Sequence, residues 1–197
     1  AGMPVTLTLP TDVTLKSTST LVAYSDSTGV ASWSVYATKA GTYAFTFTGG
    51  GLTKTSYGKF TNGASARTVS VTAGTTAGGV TPVTISVKDA YGNGMASYAG
   101  VSLSATGGYF QGVPMTSSQT TDANGNIVVA FVGNGTVTAT ITGGQTLDLA
   151  GYVGTTAATG FPAGVASASA TIDGANDPAS DSVDAANEAT DAANAAT

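Results

Sequence analysis

Residues 41–50 have the sequence Gly-Thr-Tyr-Ala-Phe-Thr-Phe-Thr-Gly-Gly, and residues 135–144 have the sequence Gly-Thr-Val-Thr-Ala-Thr-Ile-Thr-Gly-Gly. In the first stretch, aromatic side chains alternate with threonines and one alanine, and in the second, apolar side chains alternate with threonines. Because successive side chains of a β-strand point to opposite faces, this period of two predicts strands with one buried face. The two stretches also match each other at an offset of 94 residues, which indicates an internal repeat.

Further matches extend the repeat toward the N-terminus. Residues 5–9 (VTLTL) match residues 101–105 (VSLSA), and residues 26–29 (DSTG) match residues 122–125 (DANG), both at an offset of 96 residues. The change of offset to 94 corresponds to a two-residue deletion in a turn. The chain is therefore predicted to contain a tandem module.

Composition and turn signals predict an all-β fold. The chain is 42% hydrophobic and only 9% charged, which favours a folded chain over a disordered one. Alternation also marks residues 69–71 and 83–87. Besides residues 26–29 and 122–125, Gly92-Asn93-Gly94 and Gly133-Asn134-Gly135 are predicted turns. Several short strands at this spacing are typical of a β-sandwich.

The residue types that most enzymes use are scarce. The sequence contains no cysteine and no histidine, and its only glutamate is Glu188. A thiol nucleophile, a Ser-His-Asp triad and a zinc site with His or Cys ligands are therefore excluded. We expect a non-catalytic protein.

Charge is distributed unevenly along the chain, whose net charge is -5. Residues 1–88 hold all six basic residues and two acids, a balance of +4, whereas residues 89–197 hold nine acids and no basic residue, a balance of -9. This asymmetry suits head-to-tail contact between copies and does not suit nucleic acid. The simpler alternative is that the acids only solvate the C-terminal tail.

Four stretches in order carry a resemblance to a known family: residues 83–94 (VTISVKDAYGNG), 101–104 (VSLS), 121–125 (TDANG) and 136–140 (TVTAT). Together they resemble the bacterial immunoglobulin-like domains of the invasin and intimin type. The resemblance covers about residues 65–172 as a full module and residues 5–63 as a partial one. It implies tandem immunoglobulin-like sandwiches that form rod-like spacers in surface layers and adhesins, with no catalytic residues. The chain departs from the family where Gly94 replaces a frequent proline.

The repeat predicts three segments. Residues 1–63 form a partial module, residues 64–172 form a complete module, and residues 173–197 form an acidic linker and the start of a helical stalk. The equivalents of residues 67–88 would precede residue 1, so the first module is expected to lack two opening strands. Either the sequence is an excerpt of a longer array, or a neighbouring chain supplies a strand.

The tail changes from a two-residue to a seven-residue period. Residues 184–190 (DAANEAT) and 191–197 (DAANAAT) are nearly identical heptads. Their alanines fall at the a and d spacing of a coiled coil, and Asp177-Pro178 can start the helix. A short alanine-rich helical stalk is predicted here.

Two kinds of ligand-bearing site are candidates. Asp173, Asp177 and Asp181 cluster before the tail, and their carboxylates are ligands that calcium prefers. Turn and helix-cap roles explain the same acids without a metal. Calcium is therefore a candidate ligand, and no cofactor is required. Asn134-Gly135-Thr136 is a glycosylation sequon in a predicted turn, which makes Asn134 a candidate acceptor.

Apolar residues are unusually frequent in two predicted loops, residues 52–62 and 145–164. They are expected to cover the sandwich or to contact neighbouring subunits. The candidate contact residues are Leu52, Tyr57, Phe60, Leu147, Leu149, Tyr152 and Phe161. Trp33, which shares a predicted strand face with Ala31 and Val35, is predicted to pack in the core rather than to stack on sugars.

These observations predict a structural subunit or spacer of a prokaryotic extracellular surface assembly, such as a surface layer, sheath, filament or stalk. Its expected partners are copies of itself or neighbouring immunoglobulin-like modules. A rod-like spacer of an adhesin is the second hypothesis, and a carbohydrate-binding module is the third. No run of 18 apolar residues is present, so no transmembrane segment is expected in this sequence.

Overall fold

The computed structural model describes residues 1–16, 19–114, 116–143, 163–173, 186–190 and 194. Within these residues the protein is all-β, and only residues 186–190 and 194 are helical. The strands are β1 (Pro4–Thr8), β2 (Val13–Leu15), β3 (Val22–Tyr24), β4 (Val35–Ala37), β5 (Gly41–Gly49), β6 (Leu52–Phe60), β7 (Thr68–Ala73), β8 (Val80–Lys88), β9 (Val101–Phe110), β10 (Thr116–Gln119), β11 (Asn126–Ile141) and β12 (Ser167–Ile172). No helix in the described ranges is both long enough and apolar enough to cross a membrane.

The chain separates into two compact units. The first unit contains Ala1–Ser65 and the short segment Asp89–Asn93. The second unit contains Ala66–Lys88 and the described residues from Gly94 onward. Each unit has its own apolar cluster.

In the second unit the sheet is organised around β11. The strand order is β10-β9-β11-β8-β7, and β12 also pairs with β11. The first half of β11 pairs with β8, and its second half pairs with β12. The register shifts between Val132 and Gly135, so one long strand takes part in two layers of a sandwich-like arrangement. The predicted turn at residues 133–135 is therefore wrong, because these residues form an irregularity inside β11.

The core of the second unit agrees with the alternating pattern of its strands. The eight predicted core residues are all buried: Val83, Ile85, Val101, Leu103, Val129, Phe131, Val137 and Ile141. At the centre, the ring of Phe131 meets that of Phe110 edge to face, with centroids 5.9 Å apart. The period of two thus predicted correctly which side chains face inward.

The first unit contains a four-stranded sheet of order β3-β1-β5-β6 and a two-stranded sheet of β2 and β4. Strand β6 pairs with β5 along its full length, from Leu52 opposite Gly49 to Phe60 opposite Gly41. The predicted loop that begins at Leu52 is therefore wrong. The chain turns back at Gly50 and Gly51, both with positive φ, and continues as a strand.

The apolar cluster of the first unit is small. Only Leu7, Val13 and Phe45 are buried in it. The partly buried side chains that pack against these three are Leu9, Leu15, Trp33, Val35, Ala37, Tyr43, Phe47 and Phe60. Most of the described side chains in this cluster are therefore only partly buried.

The strands of the two units correspond. Strand β3 pairs with β1 as β10 pairs with β9, and with the same register, since Val5 faces Ala23 and Val101 faces Gln119. Strand β6 flanks β5 as β12 flanks the second half of β11. The β1–β5 register differs by two residues from the β9–β11 register, which keeps the same face inward because the side-chain period is two. Among the described residues of the first unit, no strand corresponds to β7 or β8.

Candidate functional site

The predicted contact residues that the structure describes lie on β6. The side chains of Leu52 and Tyr57 are 77% and 74% exposed. Phe60 is half-buried and packs edge to face against Tyr43, with ring centroids 5.7 Å apart. Leu52 and Tyr57 are therefore available for contact with another molecule. Leu147, Leu149, Tyr152 and Phe161 lie outside the described residues.

The predicted calcium and glycan positions are described only in part. Asp173 is exposed after the end of β12, whereas Asp177 and Asp181 lie outside the described residues. Among the residues that are described, no three acids, histidines or cysteines come together in a way that could hold a metal. Asn134 is exposed, at the irregularity of β11. Calcium binding and glycosylation stay predictions.

Three aspartates build the same turn. The Oδ1 atoms of Asp26, Asp89 and Asp122 each accept hydrogen bonds from the backbone N–H groups two and four residues later. All six distances lie between 2.8 and 3.0 Å. The glycine three residues after each aspartate has a positive φ of 81 to 86°, which other residues rarely adopt. The role of these three aspartates is therefore to form turns.

The turn at Asp89 has additional contacts within the first unit. The Asp89 side chain is buried, and its Oδ2 atom accepts hydrogen bonds from the Gly63 N–H and the Asn93 side-chain amide at 2.8 and 2.9 Å. Asn93 in turn accepts from the Ala40 N–H and donates to the Thr38 carbonyl. The sequence predicted only a turn at residues 92–94, because the partners of Asp89 and Asn93 are distant in sequence.

An apolar groove of about 340 Å³ lies on the first unit. It is lined by Leu7, Ala31, Ser32, Trp33, Val35, Phe45 and Phe47. The indole ring of Trp33 is half-buried and tilted against Phe47, with ring centroids 5.4 Å apart. Trp33 thus packs against the apolar cluster as predicted, but the predicted strand through residues 31–35 is not formed, since β4 begins only at Val35.

The indole nitrogen of Trp33 is a polar group in the lining of this groove. Its Nε1 atom is buried and has no hydrogen-bond partner among the residues that the structure describes. A buried donor without an acceptor costs about 1–3 kcal/mol. The groove therefore contains both uncovered apolar surface and an unsatisfied hydrogen-bond donor.

No protein-family model, curated protein or solved structure matches this chain. The fold and the groove define an all-β protein with two compact units whose strands correspond, and the first unit carries an apolar groove among the residues that the structure describes.

Proposed function

We propose that this chain is a non-catalytic structural segment of a prokaryotic extracellular surface assembly, built from tandem immunoglobulin-like modules and a helical stalk. The assembly is a surface layer, sheath, filament or stalk. Its partners are copies of the chain or neighbouring modules of the same kind. A rod-like spacer of an adhesin is the alternative that the same modules support.

The observation that carries this proposal is the recurrence of one hydrogen-bonded turn at equivalent places in the two units. The Asp26 N–H donates to the Val30 carbonyl as the Asp122 N–H donates to the Asn126 carbonyl. Recurrence of this turn, and of the register between β1 and β3 in that between β9 and β10, supports two copies of one arrangement of strands. Repetition of a module within one chain is typical of proteins that extend or tile rather than catalyse.

The exposed strand β6 supports an assembly role. It stands at one end of the sheet order in the first unit, so one row of its backbone groups has no neighbouring strand within the ranges that the structure describes. Exposed strand edges pair readily with other chains, and Leu52 and Tyr57 add apolar surface at the same place. This combination suits contact between subunits.

Assembly is tested with the purified chain by sedimentation velocity and negative-stain electron microscopy. We expect ordered oligomers or polymers at low salt that weaken as salt rises, since the +4 and -9 halves attract each other. The double variant Leu52→Ser with Tyr57→Ser should reduce association at least fivefold. Tyr109→Ser, which removes a side chain of the second unit that is 55% exposed, is the matched control. A chain that stays monomeric at every salt concentration would overturn the proposal.

A further inference from the structure

Six of the seven residues that line the groove of the first unit, all except Ser32, have buried equivalents in the second unit. By the internal repeat, Ala31, Trp33 and Val35 correspond to Ile127, Val129 and Phe131. In the same way, Leu7, Phe45 and Phe47 correspond to Leu103, Ala139 and Ile141. All six equivalents are at most 7% exposed. What differs between the units is therefore the cover over this face.

In the second unit, β8 is one of the strands that bury the face corresponding to the groove. Residues 127 and 129 of β11 pair with Ile85 and Val83 of β8. The inward side chains of β8, Val83, Ile85 and Val87, are fully buried in the core cluster. The surface that the groove leaves open is thus the surface that a strand with this alternation occupies in the related unit.

The second observation concerns backbone pairing on the side of the segment where β8 lies in the second unit. In the second unit the Val87 N–H donates to the Gly125 carbonyl, so residues 127 and 129 exchange backbone hydrogen bonds with β8. In the first unit Ala31 and Trp33 stand at these two positions. Within the described part of the chain, their N–H and C=O groups have no hydrogen-bond partner.

The opposite side of the same segment is paired in both units. The Ser34 carbonyl accepts from the Lys16 N–H at 2.9 Å, as the Ala130 carbonyl accepts from the Gln111 N–H at 2.8 Å. The segment around Trp33 therefore holds the orientation of its counterpart. Among the residues that the structure describes, no strand pairs with this segment on the side that faces β8 in the second unit.

We propose that this groove is a binding site for an extended polypeptide strand with an apolar side chain at every second position, presented by another protein. The strand pairs antiparallel with residues 30–36, and its apolar side chains fill the groove, as in binding by β-strand addition. The β8 strand of a second copy is not the donor, because it already pairs with both β7 and β11.

The inference deepens the proposed structural role by naming the chemistry of a partner, and it rests on that role only for the source of the strand. The two can fail separately. Ordered polymers can form through β6 without any strand in the groove, and a strand can bind in the groove of a chain that forms no polymer.

The test uses the whole chain and a synthetic peptide with the sequence of β8, Val80–Lys88. Trp33 is the only tryptophan in the chain, so its fluorescence reports directly on the groove. We expect a saturable blue shift of its emission, with one peptide bound per chain. A peptide in which Ile85 is replaced by Asp should not bind, because its charge would enter the apolar groove.

Backbone pairing is tested with two N-methylated peptides that leave the protein unchanged. Methylation at Ile85 removes the N–H that would reach the Ala31 carbonyl, and we expect binding at least tenfold weaker, or about 1.4 kcal/mol. Methylation at Ser86 is the matched control, because its N–H points away from the groove toward the position of β7. This peptide should bind within twofold of the parent.

Three results would overturn the proposal. The first is no saturable change in Trp33 emission up to about 1 mM peptide, which corresponds to about -4.1 kcal/mol of binding free energy. The second is equal affinity of the two methylated peptides, which would indicate nonspecific adsorption. The third is a chain whose self-association protects Trp33 and excludes the peptide, which would assign the groove to a second copy.

Discussion

The two units of this protein share a turn, a strand order and an alternating sequence pattern, yet they bury their apolar residues to different extents. Sixteen residues form the buried cluster of the second unit, and three form that of the first. Seven large apolar side chains of the first unit are at least 40% exposed, compared with three in the second, counted over the described residues. Alternation of apolar and polar side chains is therefore enough to predict a strand. Burial of the apolar side chains also requires further strands that pack against them.

The difference has a specific structural source. Strands β7 and β8 exist only in the second unit, within the ranges that the structure describes. Val83, Ile85 and Val87 of β8 are completely buried, and burial of one such side chain contributes about 1.5–3 kcal/mol. No equivalent of these strands is present among the described residues of the first unit, where Ala31, Trp33 and Val35 line a groove and are only partly buried.

The largest expected effect is the loss of Phe131, which is 0% exposed. Phe131→Ala should lower the free energy of unfolding of the second unit by about 3–5 kcal/mol, because it opens a cavity that the surrounding strands cannot fill. Val35→Ala, at the equivalent place in the half-covered first unit, should cost less than about 1.5 kcal/mol. Urea denaturation measures both. Similar losses for the two variants would contradict the difference in packing.

A second comparison uses one glycine in each unit. A Cβ atom at Gly135 would overlap the carbonyl oxygen of Thr106 on the neighbouring strand. At the matching Gly41 it would meet only the Tyr43 ring, at 3.4 Å. Gly135→Ala should therefore destabilise the second unit by about 2–3 kcal/mol, as overpacking does, and Gly41→Ala should have little effect. A Gly135→Ala variant with unchanged thermal unfolding would refute this close approach of β9 and β11.

The smallest effect concerns the pKa of Asp26. The Thr28 hydroxyl, followed by the backbone N–H groups of Val30 and Thr28, lowers the pKa of this carboxyl below its ordinary value of 3.8. Because the folded pKa is depressed, the turn stabilises the first unit above pH 3.8 and loses that contribution as the pH falls through the folded pKa.

This pKa also distinguishes the two turns, since Asn124 stands in the second unit at the position of Thr28. Thr28→Asn should move the pKa of Asp26 upward toward 3.8 by removing the hydroxyl donor. Thr28→Ser keeps the hydroxyl and should leave the pKa low. An NMR titration of the Asp26 carboxyl carbon measures both. An unchanged pKa in Thr28→Asn would show that the backbone donors alone set it.

The alternating sequence pattern predicted burial correctly for strands that have one buried face and one exposed face. The eight core residues predicted from the period of two in β8, β9 and β11 are all buried. The pattern failed for β6, whose residues Leu52 to Tyr57 are exposed on both faces and so show no alternation. It also failed at residues 133–135, where a Gly-Asn-Gly sequence suits a bulge as well as a turn.

The all-β class, the repeat and the turns at residues 26–29 and 122–125 follow from the amino-acid sequence, because they depend on side-chain period and on contacts within five residues. Which alternating segments are covered follows only from the packing of strands that are distant in sequence. Trp33 and Val129 occupy equivalent positions, yet one lines a groove and the other is buried, since burial depends on a strand that is distant in sequence. The partners of Asp89 and Asn93 were hidden for the same reason, because a hydrogen bond across more than 25 residues leaves no local signal.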